Sequence, residues 1–362
     1  MVDSNNVELG FVERTDSHLL CSFHFPSKVG GKPAWLSLSP IPSNKDLECS
    51  KCGKILSFLM QVYCPFEESP KAFHRALFVF VCRNVVCCSK NNNENFCALR
   101  SQLPRNNDFY SPEPPKKETD GPSAKFYQDL CVVCGLRGSK RCARCQSATY
   151  CSKEHQEADW KTGHKAVCKS NVPTPASASA KTVSRIKVYP DCNFPEYELI
   201  TEPEILPNET EKEKSEEEKL KEYEEFMKSK AAESVLPDSA AKDLEKMAVS
   251  DNSQDQVFMK FKERIQDEQE QVLRYQRNGK PLWVSECHMP KDGDIPNCSC
   301  GLPRTFEFQI MPQLLTYLEV DSLGDSIDWG TLCVYTCSGS CEIGNNYHKE
   351  FLWKQDFSDS NI

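Results

Sequence analysis

Eight side chains that favour soft metals crowd into residues 131–168 of this chain. They fall in four pairs: Cys131 and Cys134, Cys142 and Cys145, Cys151 and His155, His164 and Cys168. The first two pairs are C-x2-C, a spacing that a tight turn can close on one ion. The last two are i, i+4 pairs, which one helical turn puts on a single face. Eight such donors make two tetrahedral sites of three cysteines and one histidine, and zinc fits that set best. Protein would fill all four positions at each ion, which is structural chemistry and not an open catalytic site. The stretch holds few apolar residues, so metal must supply its folding energy, on the order of 10 kcal/mol per ion.

This spacing resembles the MYND zinc finger, a small module that binds short peptide segments. The resemblance implies interleaved ligands. One ion would take Cys131, Cys134, Cys151 and His155. The other would take Cys142, Cys145, His164 and Cys168. His155 stands where many members carry a cysteine, which zinc tolerates.

The rest of the chain must position and use this finger. Prolines 104, 112, 114, 115 and 122 mark a linker before it, and the Ser/Ala/Pro-rich stretch 170–182 marks another after it. The expected organisation is an N-terminal half over 1–110, a linker over 111–128 and the finger over 129–170. An acidic linker of low order follows over 171–254, then a helix and a C-terminal half over 255–362. ILSFLMQVY at 55–63 and FHRALFVFVC at 73–82 read as buried strands. Residues 255–277 read as a charged helix with a partial apolar face of Val257, Phe258, Phe261, Ile265, Val272 and Tyr275.

Twenty-one cysteines in 362 residues could suggest a disulfide frame. The opening residues contain acids and no apolar core run, so no secretory signal is expected. The run Ala76–Cys82 is too short to cross a bilayer. The expectation is a soluble intracellular protein with reduced thiols and no membrane partner. Net charge is −9 but uneven. Residues 131–169 hold eight Lys/Arg against three Asp/Glu, a net of +5, and residues 202–234 hold twelve Glu against six Lys, a net of −6. The acidic stretch could screen a basic partner.

The chain also repeats itself. GKPLWVS at 279–285 echoes GKPAWLS at 31–37, and CGLPRTFEFQI at 300–310 echoes CGKILSFLMQV at 52–62. Both echoes share an offset of 248, and eleven of the 31 positions from 31 to 61 are identical. Chance at average residue usage gives about two. The expected fold class is α+β: a pseudo-duplicated β-rich domain of two halves, with the finger and acidic linker inserted between them. Each half carries an early and a late cysteine pair: Cys49/Cys52 with Cys82/Cys87, and Cys298/Cys300 with Cys337/Cys341. These form either one four-cysteine zinc site per half or buried thiols at strand ends, and Cys88 competes with Cys87. Zinc is thus expected twice in the finger, with room for one or two more ions.

SKVGGKPAWL, the CG-x4-F-x2-Q stretch, the finger, FEFQIMPQLL and SIDWGTL together resemble the programmed cell death protein 2 family. The resemblance implies a protein of cytoplasm and nucleus. It implies a dedicated chaperone that holds a newly made small-subunit ribosomal protein until it joins the pre-ribosome, in support of 40S biogenesis. It also implies links to cell proliferation, stem-cell maintenance and cell death. The acidic run supplies the sign such a client needs, and the β halves could supply a groove or strand edge. The rival reading is a nuclear adaptor whose finger recruits corepressor or chromatin partners. No enzyme is expected: the chain lacks G-x-G-x-x-G after a strand, a P-loop and G-x-S-x-G. His18, His24, His74, His288 and His348 are scattered, without an obvious acid or nucleophile. Direct nucleic-acid binding is not expected, because Tyr150 and Trp160 are better used packing the finger.

Overall fold

A computed structural model describes residues 6–114, 121–168, 189–205, 256–320 and 326–358. In order, the strands are β1 (Glu8–Glu13), β2 (Lys28–Val29), β3 (Ser57–Tyr63), β4 (His74–Val81), β5 (Phe96–Leu103), β6 (Lys140–Arg141), β7 (Thr149–Tyr150), β8 (Tyr197–Pro203), β9 (Leu273–Tyr275), β10 (Arg304–Ile310), β11 (Thr331–Cys337) and β12 (His348–Gln355). Ten close a barrel in the order β1-β8-β2-β3-β4-β5-β12-β11-β10-β9, and neighbouring strands run antiparallel. β6 and β7 make a separate hairpin in the finger. Helices are few and short: α1 (Lys153–Asp159), α2 (Lys165–Val167), α3 (Gln256–Ile265) and α4 (Leu314–Tyr317). The α+β expectation therefore gives way to a mostly β fold.

β3 and β4 read as continuous apolar runs because both of their faces are covered. Leu77, Val79 and Val81 of β4 join Leu59, Val62, Phe308, Ile310 and Leu332 in one cluster inside the barrel. Ala76, Phe78 and Phe80 alternate to the outer face and pack with Trp35, Leu99, Val133 and Leu136. Val133 and Leu136 belong to the finger, so the finger lies against the N-terminal half and shares its outer core.

One end of the barrel interior is polar. Arg75 of β4 and Glu307 of β10 are fully buried and meet through a forked ion pair, with Nη2 to Oε2 at 2.7 Å. Arg277 adds a second cation at 3.0 Å. Arg100 and Arg304 grip the two oxygens of buried Glu350 at 2.7 and 2.9 Å. Such pairs cost desolvation, but breaking one is worse, so they fix which strands face each other.

Two further expectations are corrected. The helix expected over 255–277 ends at Ile265, and Leu273–Tyr275 form β9. Val272 and Leu273 are fully buried in the barrel, so tertiary packing overrides the helical spacing. The linker expected over 171–254 contains β8, which pairs with β1 and β2 and completes the barrel. The acidic run lies outside the described residues from 206 onward. The ten-stranded sheet closes on itself, but β5 and β12 pair only over Ala98–Arg100 and His348–Glu350, and the β6-β7 hairpin keeps both of its outer edges.

The two triplets β3-β4-β5 and β10-β11-β12 are antiparallel meanders, joined where β5 pairs with β12. Several details recur at the offset of 248. Register shifts between Phe58 and Met60 in β3, and between Phe306 and Phe308 in β10. The Gln61 amide receives the Ala34 N–H at 2.8 Å and donates to the Ala34 carbonyl at 3.3 Å. Gln309 does the same for Leu282, at 2.6 and 3.0 Å.

Candidate metal centres

Four knuckle turns aim the first cysteines. The carbonyls of Cys131, Cys142 and Cys49 accept the N–H groups of Gly135, Gln146 and Gly53 at 2.9, 2.9 and 2.8 Å. Those closing residues have φ of +73°, +57° and +69°, the left-handed region that suits glycine. The C-x-C at Cys298 is one residue shorter. Its carbonyl accepts from Gly301 at 2.8 Å, with φ +90°. The outer pairs are thus built like the finger's.

In the finger, Ser152 caps α1 by accepting the His155 N–H at 3.3 Å, and α1 then presents His155 beside Cys151. A π-turn over Trp160–His164, with Gly163 at φ +146°, swings His164 toward the second knuckle. Cys168 donates its N–H to the His164 carbonyl at 2.8 Å, which closes the last pair.

These elements gather Cys131, Cys134, Cys151 and His155 in one group, and Cys142, Cys145, His164 and Cys168 in another, with donor atoms in each all within 4.8 Å. Cys134 to Cys151 is 3.6 Å between sulfurs, and Cys142 to Cys168 is 3.8 Å. Sulfurs 2.3 Å from one tetrahedral zinc lie roughly 3.8 Å apart, whereas a disulfide needs about 2.05 Å. Nδ1 of His155 and Nε2 of His164 face their sulfurs at 3.1 and 3.4 Å. The donor types and separations fit zinc.

The outer cysteines form two further groups of the same size: Cys49, Cys52, Cys82 and Cys87, and Cys298, Cys300, Cys337 and Cys341. Cys52 to Cys82, Cys298 to Cys341 and Cys300 to Cys337 are each 3.6 Å. Each group ties the loop before one strand to the end of its neighbour, β3 to β4 or β10 to β11. Cys88 stays outside the first group, its sulfur 3.6 Å from the Asp328 carbonyl. None of the described cysteines forms a disulfide.

Local hydrogen bonds favour thiolates at the turns. The Ser147 hydroxyl and N–H draw the Cys145 thiol down to about 6. At Cys300 the Leu302 N–H draws it to about 7. Burial opposes the shift at Cys52, but the Lys54 N–H and neighbouring thiols still bring it to about 7. Burial lowers His155, yet bonds to Cys131 and Cys151 outweigh it and raise its pKa to about 12. Burial raises other thiols of the same groups, among them Cys82, Cys134, Cys168, Cys298 and Cys341, so a cation is what would let all the donors of a group ionise together.

Spacing could not reveal the supporting groups. Buried Asp159 accepts hydrogen bonds from Tyr150 at 2.8 Å and Tyr189 at 2.7 Å, and lies 3.8 Å from Nδ1 of His164. That sets a carboxylate behind the His164 imidazole, within ion-pair range though beyond hydrogen-bond distance. His348, one of the scattered histidines, places Nε2 3.3 Å from the Cys298 sulfur. Its signal was hidden because it arrives from β12, 50 residues away.

The finger docks through its first knuckle. Lys32 Nζ donates to the Val132 carbonyl at 2.7 Å, Trp35 Nε1 to the Gly135 carbonyl at 3.0 Å, and Asn193 to the Val133 carbonyl at 2.8 Å. Beside this joint lies a cleft of about 1070 Å³, lined in part by Lys28, Lys32, Phe126, Tyr189 and Glu196.

A closed antiparallel barrel with a docked finger of paired Cys/His quartets defines a β-rich MYND-finger protein. Family models match in three places: the programmed cell death protein 2 N-terminal domain over residues 6–117, the MYND finger over 131–168, and the programmed cell death protein 2 C-terminal domain over 255–356. Programmed cell death protein 2 of Bos taurus is 44% identical, over 98% of this chain and 97% of that one. The chain belongs to the programmed cell death protein 2 family. Programmed cell death protein 2-like of Homo sapiens is 29% identical over 87% of this chain and 85% of its own. A Schizosaccharomyces pombe protein named "Probable 20S rRNA accumulation protein 4" is 24% identical over 86% of this chain and 87% of its own. No solved structure matches. The family and its domains imply a non-catalytic protein.

Proposed function

We propose that this chain is a zinc-knit holder of a newly made small-subunit ribosomal protein, and that it supports small-subunit production. The observation that carries this reading is the likeness, over most of the chain, to a protein named for 20S rRNA accumulation. The chemistry agrees with it. Each quartet of Cys and His donors would fill four positions with protein, so these centres build shape and leave no open position for catalysis. The acidic run at 202–234 has the charge to cover a basic client, and the cleft beside the finger has the volume to take a polypeptide segment. Work in cytoplasm and nucleus follows from carrying such a client to a pre-ribosome, and roles in proliferation, stem-cell maintenance or cell death follow from ribosome supply.

On the same reading the two halves are copies of one β unit, supported by the offset of 248 that the bulges and glutamine bonds share. All four quartets, the two Cys3His groups of the finger and the two four-cysteine groups of the barrel, hold zinc, supported by their knuckle turns and sulfur separations.

The test is co-expression of the full chain with each small-subunit ribosomal protein, followed by purification at moderate salt. The expected result is one stoichiometric client. Recovery of none defeats the holder reading. Capture of a chromatin protein that Cys142→Ser with Cys145→Ser abolishes would favour the nuclear adaptor instead.

A further inference from the structure

GKPAW at 31–35 and GKPLW at 279–283 each lie over the outer face of their own half, held by the glutamine bonds described above. Each presents a lysine and a tryptophan. In the N-terminal half both are engaged. Lys32 and Trp35 donate to the carbonyls of Val132 and Gly135, three residues apart on one turn of the finger. Beneath that turn, Phe58, Phe78, Phe80 and Leu99 are buried with Trp35.

The pairing register identifies the counterparts in the other half. Phe58 faces Phe80 as Phe306 faces Tyr335, and Gln61 faces Phe78 as Gln309 faces Cys333. Cys97 and Leu99 of β5 correspond to Phe351 and Trp353 of β12. Trp283, Ile295, Phe351 and Trp353 pack as a partly buried rim on buried Phe306, Cys333 and Tyr335. His288 walls one side, stacked on Trp353 at 4.6 Å. Lys280 is exposed and Trp283 is half-buried. Neither has a hydrogen-bond or ion-pair partner among the described residues. One half therefore has an occupied turn-binding face, and the other presents the same two donors beside a partly exposed aromatic rim, in which Trp353 already donates its Nε1 to the His288 carbonyl at 2.9 Å.

We propose that this second face is a docking site for a compact polypeptide turn of a partner protein. Lys280 and Trp283 donate to two of its carbonyls three residues apart, and its aliphatic side chains lie on Trp353 and Phe351. The occupied half supplies the chemistry: its guest offers two carbonyls and buries Val133 and Leu136. The chain's own first knuckle is already engaged in cis, so a second copy does not offer that turn. This site deepens the holder reading, since it gives a client a second point of attachment.

The probe is the octapeptide of residues 130–137, cyclised through its two cysteines, with a scrambled peptide as control. The protein is the full zinc-loaded chain labelled with 5-fluorotryptophan and followed by fluorine NMR. The expected result is a saturable shift of the Trp283 and Trp353 signals, with Trp35 and Trp329 unmoved. Lys280→Ala weakens the apparent affinity about fivefold, the worth of one hydrogen bond, and Trp283→Phe abolishes the Trp353 shift. Lys280 is exposed, so its variant folds whatever Trp283→Phe does. No saturable shift, or a shift indifferent to both substitutions, overturns the site. So does self-association without peptide that both substitutions remove, because it gives the face to a second copy. A ribosomal client that stays bound while the peptide never binds leaves the holder reading standing and removes only this site.

Discussion

The finger and the barrel reach a folded state by different means. The finger packs eight donors into residues 131–168 and buries little beyond Val133, Leu136, Ala148 and Tyr150. The barrel has a continuous apolar interior, and its two cysteine quartets lie outside that interior at strand ends. On the proposed reading, metal is the core of one unit and a clamp on the other. The two should part company when metal is disturbed.

The largest effect should come from Cys142→Ser with Cys145→Ser. One quartet of the finger is lost, and with it folding energy on the order of 10 kcal/mol. Hydrogen exchange should find residues 131–168 unprotected while β3, β4, β10 and β11 remain protected. Collapse of barrel protection in step with the finger would show that the two are one folding unit and break the contrast.

Next is the polar end of the barrel. Burial pushes the Glu307 carboxyl up, but Arg75 and Arg277 overcome it and hold it at about 2. A depressed carboxylate stabilises the fold above its ordinary pKa of about 4.5, and that contribution fades as pH falls toward 2. The finger fails sooner, because protons compete with metal for thiolates such as Cys145. Acid titration should therefore give two steps: zinc release with loss of finger signals, then loss of barrel signals. At neutral pH, Glu307→Leu leaves Arg75 buried and unpaired and should cost about 3–5 kcal/mol. Adding Arg75→Met should return much of that, measured by denaturant unfolding. A single acid transition would deny that the two regions differ.

The same contrast governs what could be read from the sequence. Metal ligands must be particular residue types at particular spacings, so the finger was legible ligand by ligand. β3 and β4 were legible because two covered faces demand unbroken apolar runs. β5 and β12 were not, because they turn Arg100, Glu350 and Lys354 inward among apolar neighbours. Those charges look like surface until the partner strand is known. β8 was hidden in an acidic stretch because its outer face is solvated and only Leu199 is buried. Val272 and Tyr275 fit a helical face as well as a strand, and pairing with β1 and β10 decided for the strand. Asp159 and His348 support their centres from positions that no local spacing records.

A smaller effect is expected at the outer quartets. Cys49→Ser with Cys82→Ser removes two donors from a clamp between loop and strand, while the barrel core is untouched. By analogy with a covalent staple across a loop of similar length, the loss is about 2–4 kcal/mol. Elemental analysis should fall by one zinc per chain, and the fold should persist at 25 °C. Cys300→Ser with Cys337→Ser should do the same in the other half. An unchanged zinc content in either variant would reduce that quartet to buried thiols.

The smallest effect tests whether the finger's metal is supported by anything other than its ligands. Asp159 receives the hydroxyls of Tyr150 and Tyr189 and faces Nδ1 of His164 at 3.8 Å. Tyr189 lies beyond the finger's last ligand, so this carboxylate also ties the following chain back onto the finger. Asp159→Asn keeps the shape and removes the charge behind the imidazole, and one of the two tyrosine hydroxyls must turn from donor to acceptor to meet the new amide. Losing such a partner lowers metal affinity about 10- to 100-fold. Competition with a chromophoric chelator should therefore draw one zinc from the Asn variant at lower chelator than from the native chain. The quartet of Cys131, Cys134, Cys151 and His155 should hold its ion as before. Equal weakening at both finger sites would mean that Asp159 acts through packing of the whole finger. No weakening at all would leave His164 held by its ligand geometry alone.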